Sequence, residues 1–162
     1  MKVIDNRLIT KVSEEALISE RKRQNYNFHE TLDAVVQRML NALEPGTYVQ
    51  PHKHESPDKV EAFILLQGRA LVVEFNDLGE ILFYVELSAS KGNLGVEIAP
   101  RSWHMIISLE PGTVVYEAKE GPYKPVNDKD FATWAPSEND EECASYINGV
   151  LKRCNISCPV FA

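Results

Sequence analysis

Two periodicities divide the chain. Up to residue 46, apolar residues recur at three- and four-residue intervals; from residue 47 they gather in short runs rich in β-branched and aromatic side chains. The segment SEEALISERKR (13–23) reads as a short amphipathic helix with Ser13 as its N-cap. NFHETLDAVVQRMLNALEPG (27–46) reads as a longer one. Asn27 and Glu30 have capping-box spacing, and Leu32, Val35, Val36, Met39, Leu40 and Leu43 form one stripe before Pro45-Gly46 ends it.

Beyond this, TYVQPH, VEAFILL, ALVVEF, EILFYVEL, GVEIAP, WHMIISL and TVVYEAK read as seven strands, with NDLG (76–79) as a hairpin turn. Closely spaced short strands predict an antiparallel sandwich or barrel. Residues 121–140 read as a loop with three prolines, and 138–153 as a final helix with an acidic start and a basic end. At 162 residues with no low-complexity linker, one domain is expected: a mainly helical segment over 1–43, a β-barrel over 44–126, and a loop and helix over 127–162.

Composition narrows the function classes. Apolar (44%) and charged (25%) fractions are those of a globular chain, and the net charge of -7 argues against general attraction to nucleic acid or anionic membranes. No apolar run spans a bilayer, and the charged N-terminus lacks a signal-peptide block, so a cytoplasmic location is expected. Cys143, Cys154 and Cys158 are expected as reduced thiols. Cys154 and Cys158 could meet on a helical face, but no second pair stands near them to complete a metal site.

The candidate chemistry lies in PHKHESPDKVEAF (51–63). His52 and His54 alternate, so on a strand both imidazoles point to one face with Cα atoms about 6.6 Å apart and can share an ion. Glu61 opens the next strand, and His104 begins another. An HxH pair alone is more often a polar surface feature, and periodicity does not bring His104 to His52.

Residues 46–68 resemble the first cupin motif: Gly46, His52, His54, Glu61 and Gly68 fill its places in order, with an enlarged SPDK loop between His54 and Glu61. The second motif is matched by Pro100 and His104, with Ser102 in place of glycine and Ser108 in place of asparagine. More narrowly, residues 1–140 resemble the WbuC family of cupin-fold metalloproteins through RKRQNYNFHE, EAKEGPY and FATWAP. The resemblance implies a jelly-roll β-sandwich or barrel after a helical segment. It also implies a divalent metal on His52, His54, Glu61 and His104, and a link to bacterial surface-polysaccharide genes. Nitrogen and oxygen ligands suit Zn, Fe, Mn, Ni or Co alike.

Around such a metal, Arg21, Arg23, Asn25, Asn27 and His29 share one face if their segment is extended, and would grip a carboxylate, phosphate or sugar hydroxyls; a helix through residue 27 would separate them. Glu117 and Lys119 alternate on a strand and serve either, pointing inward, as acid/base or substrate-orienting groups or, pointing outward, as a cross-strand ion pair. Tyr123 either covers the site or packs, Tyr48 shares a strand face with His52, and Trp103 and Trp134 are expected in the core. The reading is an isomerase, epimerase, lyase or dioxygenase acting on a small sugar-derived or anionic ligand. The alternatives are a non-catalytic sensor of that ligand and a purely structural metal. Neither nucleic acid nor membrane is an expected partner; a homodimer is allowed.

Overall fold

The structure, a computed structural model, describes residues 1–124 and 129–158. Helix α1 (Asn6–Ile18) begins at Asp5, whose carboxylate accepts from the Leu8 N–H at 2.9 Å. Its stripe of Ile9, Val12 and Ala16 is buried. The expected helix over 13–23 therefore starts earlier and ends at Ile18, and Ser13 lies inside it rather than at its cap.

The longer helix expected over 27–46 is not formed, and the N-terminal segment is not mainly helical. Strand β1 (Arg23–Asn27) instead pairs antiparallel with β2 (Val36–Leu43), Asn25 opposite Asn41. The reason is burial on both faces of β2. Leu40 and Ala42 pack with Ile9, Val12, Ala16 and Val114 beneath α1, while Gln37, Met39 and Leu43 are buried on the other face. A strand covered on both sides loses the simple alternation that marks a half-exposed one. Leu32, Val35 and Val36, which completed the helical stripe, are exposed.

The remaining strands are β3 (His52–Lys53), β4 (Glu61–Gln67), β5 (Arg69–Phe75), β6 (Ile81–Ser88), β7 (Gly95–Ile98), β8 (Trp103–Ser108), β9 (Thr113–Glu120) and β10 (Asp130–Phe131). They form two five-stranded antiparallel sheets, ordered β1-β2-β9-β4-β7 and β10-β3-β8-β5-β6. The two sheets face each other as a jelly roll. Phe63, Val72, Ile106 and Val115 belong to the apolar core between them. Helix α2 (Cys143–Arg153) covers the outside of the second sheet through Ile147, Val150 and Leu151, against Leu71, Val73, Met105 and Ile107. Trp103 and Trp134 pack edge to face on this layer, ring centroids 6.0 Å apart, and Cys154 and Cys158 are buried in it as free thiols.

Three expected elements shorten or change. The strand expected over 47–52 is regular only from His52, α2 begins at Cys143, and the loop over 121–140 contains β10. Residues 125–128 of that loop and 159–162 of the tail lie outside the described residues. Two turns behave as their sequences suggest. Asn76 Oδ1 accepts from the N–H groups of Leu78 and Glu80, both at 2.9 Å, closing the NDLG hairpin. Gly68, between β4 and β5, has φ +78°, and a Cβ there would stand 2.5 Å from Thr113 Oγ1. Only glycine meets both demands.

Candidate metal centre

Strand pairing brings the four predicted ligands together. His52 on β3 stands directly opposite His104 on β8, with ring centroids 4.4 Å apart. Glu61 opens β4 in the facing sheet, and His54 follows β3. All four are buried, and one ligating atom from each lies within 4.8 Å of the others.

The hydrogen bonds orient the rings. His52 Nδ1 lies 2.9 Å from the Gln50 carbonyl, and His104 Nδ1 lies 2.9 Å from the Ser102 carbonyl. A carbonyl only accepts, so each Nδ1 carries the proton and each neutral ring turns the lone pair of Nε2 inward. His104 Nε2 is 3.0 Å and His54 Nε2 3.3 Å from Glu61 Oε2. His52 Nε2 is buried with no hydrogen-bond partner. The lone pair that His104 turns toward the Glu61 carboxylate repels it unless a cation stands between them. This donor set, three imidazoles and one carboxylate, suits a borderline divalent ion. Burial lowers the His52 pKa well below the ordinary value, with Lys129 and His104 adding to the effect, which keeps the ring neutral as a ligand must be. Burial alone would raise the Glu61 pKa, but the adjacent His104 and His54 rings, with Lys119, outweigh it and hold the carboxyl well below the usual range.

The enlarged loop between His54 and Glu61 is pinned from the other side of the site. The Arg101 N–H donates to the His54 carbonyl at 3.0 Å, and the Arg101 guanidinium pairs with Asp58 at 2.9 Å.

A cavity of about 470 Å³ adjoins this group. Glu117 connects the two: it lines the cavity, shares a hydrogen bond with Glu61, and accepts from Asn41 Nδ2 at 2.9 Å. Burial and the Glu61 charge raise the Glu117 pKa to about 8. Lys119 lines the same cavity, directly across the β4–β9 ladder from Glu61, with its ammonium 5.7 Å from the Tyr123 ring centroid. Both side chains thus face the cavity rather than the outer surface.

Arg23, Asn25 and Asn27 line the cavity from the extended β1, and Arg21 before the strand and His29 after it line it too. The two arginines, however, are already engaged. Arg21 makes a two-point pair with Glu138 at 2.8 and 3.1 Å, and Arg23 joins the same carboxylate while donating to the Tyr48 carbonyl at 2.8 Å. His29 Nδ1 lies 3.1 Å from the backbone N–H of Arg38.

Tyr48 does not join the site. Its hydroxyl donates to the Pro136 carbonyl at 2.7 Å and its ring packs in the layer under α2. Residues 48–51 are not in a strand, so the alternation that was to align Tyr48 with His52 is broken, and Val49 lines the cavity instead. Asn41 and Lys129 line the cavity without having been predicted. Asn41 was hidden by the helical reading of β2, and Lys129 is a single loop lysine that no motif marks. Cys154 and Cys158 belong to no metal-ligand group among the described residues.

No curated protein matches the chain. Among solved structures, the capsular polysaccharide assembling protein CapF of Staphylococcus aureus is similar over 65% of this chain and 28% of its own, at 24% identity and a TM-score of 0.53. The chain thus spans less than a third of CapF. L-ribose isomerase of Cellulomonas parahominis, solved with L-psicose, is similar over 70% of each chain at 14% identity and a TM-score of 0.53. A protein of Thermus thermophilus is similar over 74% of this chain and 97% of its own, at 14% identity and a TM-score of 0.52. Together with the sheet order and the His/Glu group between the sheets, these likenesses identify the cupin fold. The family described as a domain of unknown function, DUF6016, matches residues 4–87, just over half of the chain. The chain therefore belongs to the DUF6016 family, on a cupin jelly roll.

Proposed function

We propose that the chain is a cupin metalloprotein of the WbuC type that holds one divalent metal through His52, His54, Glu61 and His104 and acts on a small sugar-derived, carboxylate or phosphate ligand. The observation that carries this reading is the buried, partnerless Nε2 of His52 in a group whose other lone pairs converge with it. In favour of the WbuC type, RKRQNYNFHE and EAKEGPY, distant in sequence, both contribute to the cavity through Arg21–His29 and Glu117–Tyr123. FATWAP sets the Phe131 ring 6.2 Å from that of His52. CapF assembles capsular polysaccharide and the isomerase was solved with a ketose, so a sugar-derived ligand and a role in surface-polysaccharide metabolism are in keeping with the fold's known uses.

When bound, the metal supplies a Lewis acid that polarises a ligand oxygen. Glu117 works beside it. Buried against Glu61 and held in orientation by Asn41, it is the carboxyl placed to give and take a proton at the ligand. Lys119 and Tyr123 hold the ligand against Glu117, and Arg21 and Arg23, braced by Glu138, frame the cavity. Proton movement by one carboxyl favours isomerase, epimerase or lyase chemistry over dioxygenation.

The test is a turnover screen of metal-loaded protein against sugar acids, nucleotide sugars and small carboxylates, followed by nuclear magnetic resonance. The expected result is turnover that Glu117→Gln lowers about a hundredfold or more without loss of metal. Saturable binding without turnover would make the chain a sensor. Full activity in Glu117→Gln would remove the acid/base assignment.

A further inference from the structure

The cavity combines an amide patch with positive charge. Asn25 and Asn41 are cross-strand partners in the β1–β2 ladder, and Asn27 follows on the same face of β1. Such neighbours stand about 5 Å apart at Cβ across the ladder and about 6.6 Å apart along the strand. Asn41 Nδ2 already donates to Glu117, which leaves its Oδ1, buried and without a hydrogen-bond partner, as an acceptor; the Asn25 and Asn27 amides both donate and accept, so the row suits a chain of hydroxyls.

The charge comes from two elements. Lys119 on β9 acts electrostatically on Glu61 and Glu117, and Lys129, just before β10, acts on His52 and Glu117. Both lysines line the cavity. The two arginines of the cavity share one carboxylate, Glu138, instead of presenting open forks. No helix N-terminus lines the cavity among the described residues. The usual devices for phosphate, an open arginine fork and a helix N-terminus, are therefore not what this cavity offers.

We propose that the cavity takes a polyhydroxylated carboxylate, its carboxylate held by Lys119 and Lys129 and its hydroxyls by Asn25, Asn27 and Asn41. This rests on the function proposed above, names the ligand class of that site, and adds Asn41 and Lys129 to its binding residues.

Titration calorimetry on the metal-loaded full chain tests it with four probes: D-gluconate, D-glucitol (the hydroxyls without the carboxylate), hexanoate (the carboxylate without the hydroxyls) and D-glucose 6-phosphate. Gluconate is expected to bind most tightly, the others about tenfold or more weakly. Lys129→Met should weaken gluconate about tenfold and leave glucitol unchanged, whereas Asn27→Ala should weaken gluconate and leave hexanoate unchanged. Glucitol, hexanoate or glucose 6-phosphate binding as tightly as gluconate overturns the proposal, as does the absence of gluconate binding in the millimolar range. Metal content of the same samples separates this inference from the reading beneath it. Full metal without discrimination overturns the ligand class alone; discrimination in a protein that holds no metal supports the ligand class and fails the metal reading.

Discussion

At the scale of single residues, the site is a set of buried groups whose protonation is set by their neighbours. Glu117 illustrates the sign of the effect. Its folded pKa of about 8 lies above the ordinary carboxylate value, so between the two the folded state binds more protons than the unfolded one. Its contribution to stability is therefore lost as pH rises through that window. In metal-free protein, urea unfolding should give a midpoint that falls from pH 5 to pH 8 more steeply in wild type than in Glu117→Gln. Equal slopes would show that Glu117 is ionised throughout. The alternation of His52 and His54 was legible in their spacing, whereas Glu61 and His104 joined them only through the resemblance to the cupin motifs, because no spacing brings His104 to His52. Tyr48 was misread because one irregular stretch, residues 48–51, breaks strand alternation; Pro51, which has no N–H for a ladder, was the signal in TYVQPH.

Elements explain the larger misreading. The strands from β4 to β9 were legible because their β-branched and aromatic runs are short and bounded by turns. Strand β2 was not, because α1 covers one face and the barrel interior the other, and a doubly buried strand has no period of its own. Asn41 was lost with it. Leu40, fully buried between β2 and α1, measures that packing. Leu40→Ala should cost about 2–5 kcal/mol in denaturant unfolding, while exposed Val35→Ala should change stability little. Comparable losses in both would argue for the amphipathic helix instead. The Glu138 clasp joins β1 to the segment before α2. Burial alone would raise the Glu138 pKa, but Arg21 and Arg23 together lower it, so its stabilisation is present above the unfolded pKa and lost as pH falls through the folded one. Wild type and Glu138→Gln should differ in melting temperature at neutral pH and converge in acid. A gap that persists below the carboxylate range would assign it to packing.

The whole molecule is a layered body: α1, one sheet, the apolar core, the second sheet and α2. The metal-ligand group takes residues from both sheets, so an ion there links them. An ion that binds only the folded chain stabilises it by about 2.7 kcal/mol at a hundred times its dissociation constant. Added divalent metal should therefore raise the melting temperature of wild type and leave His52→Ala unmoved. The central claim is that His52, His54, Glu61 and His104 hold a metal, and elemental analysis of purified protein tests it most directly. Wild type should carry close to one equivalent of divalent metal, and His52→Ala and Glu61→Ala should lose it while keeping the β-sheet circular dichroism of the parent. Undiminished metal in both variants would contradict the claim.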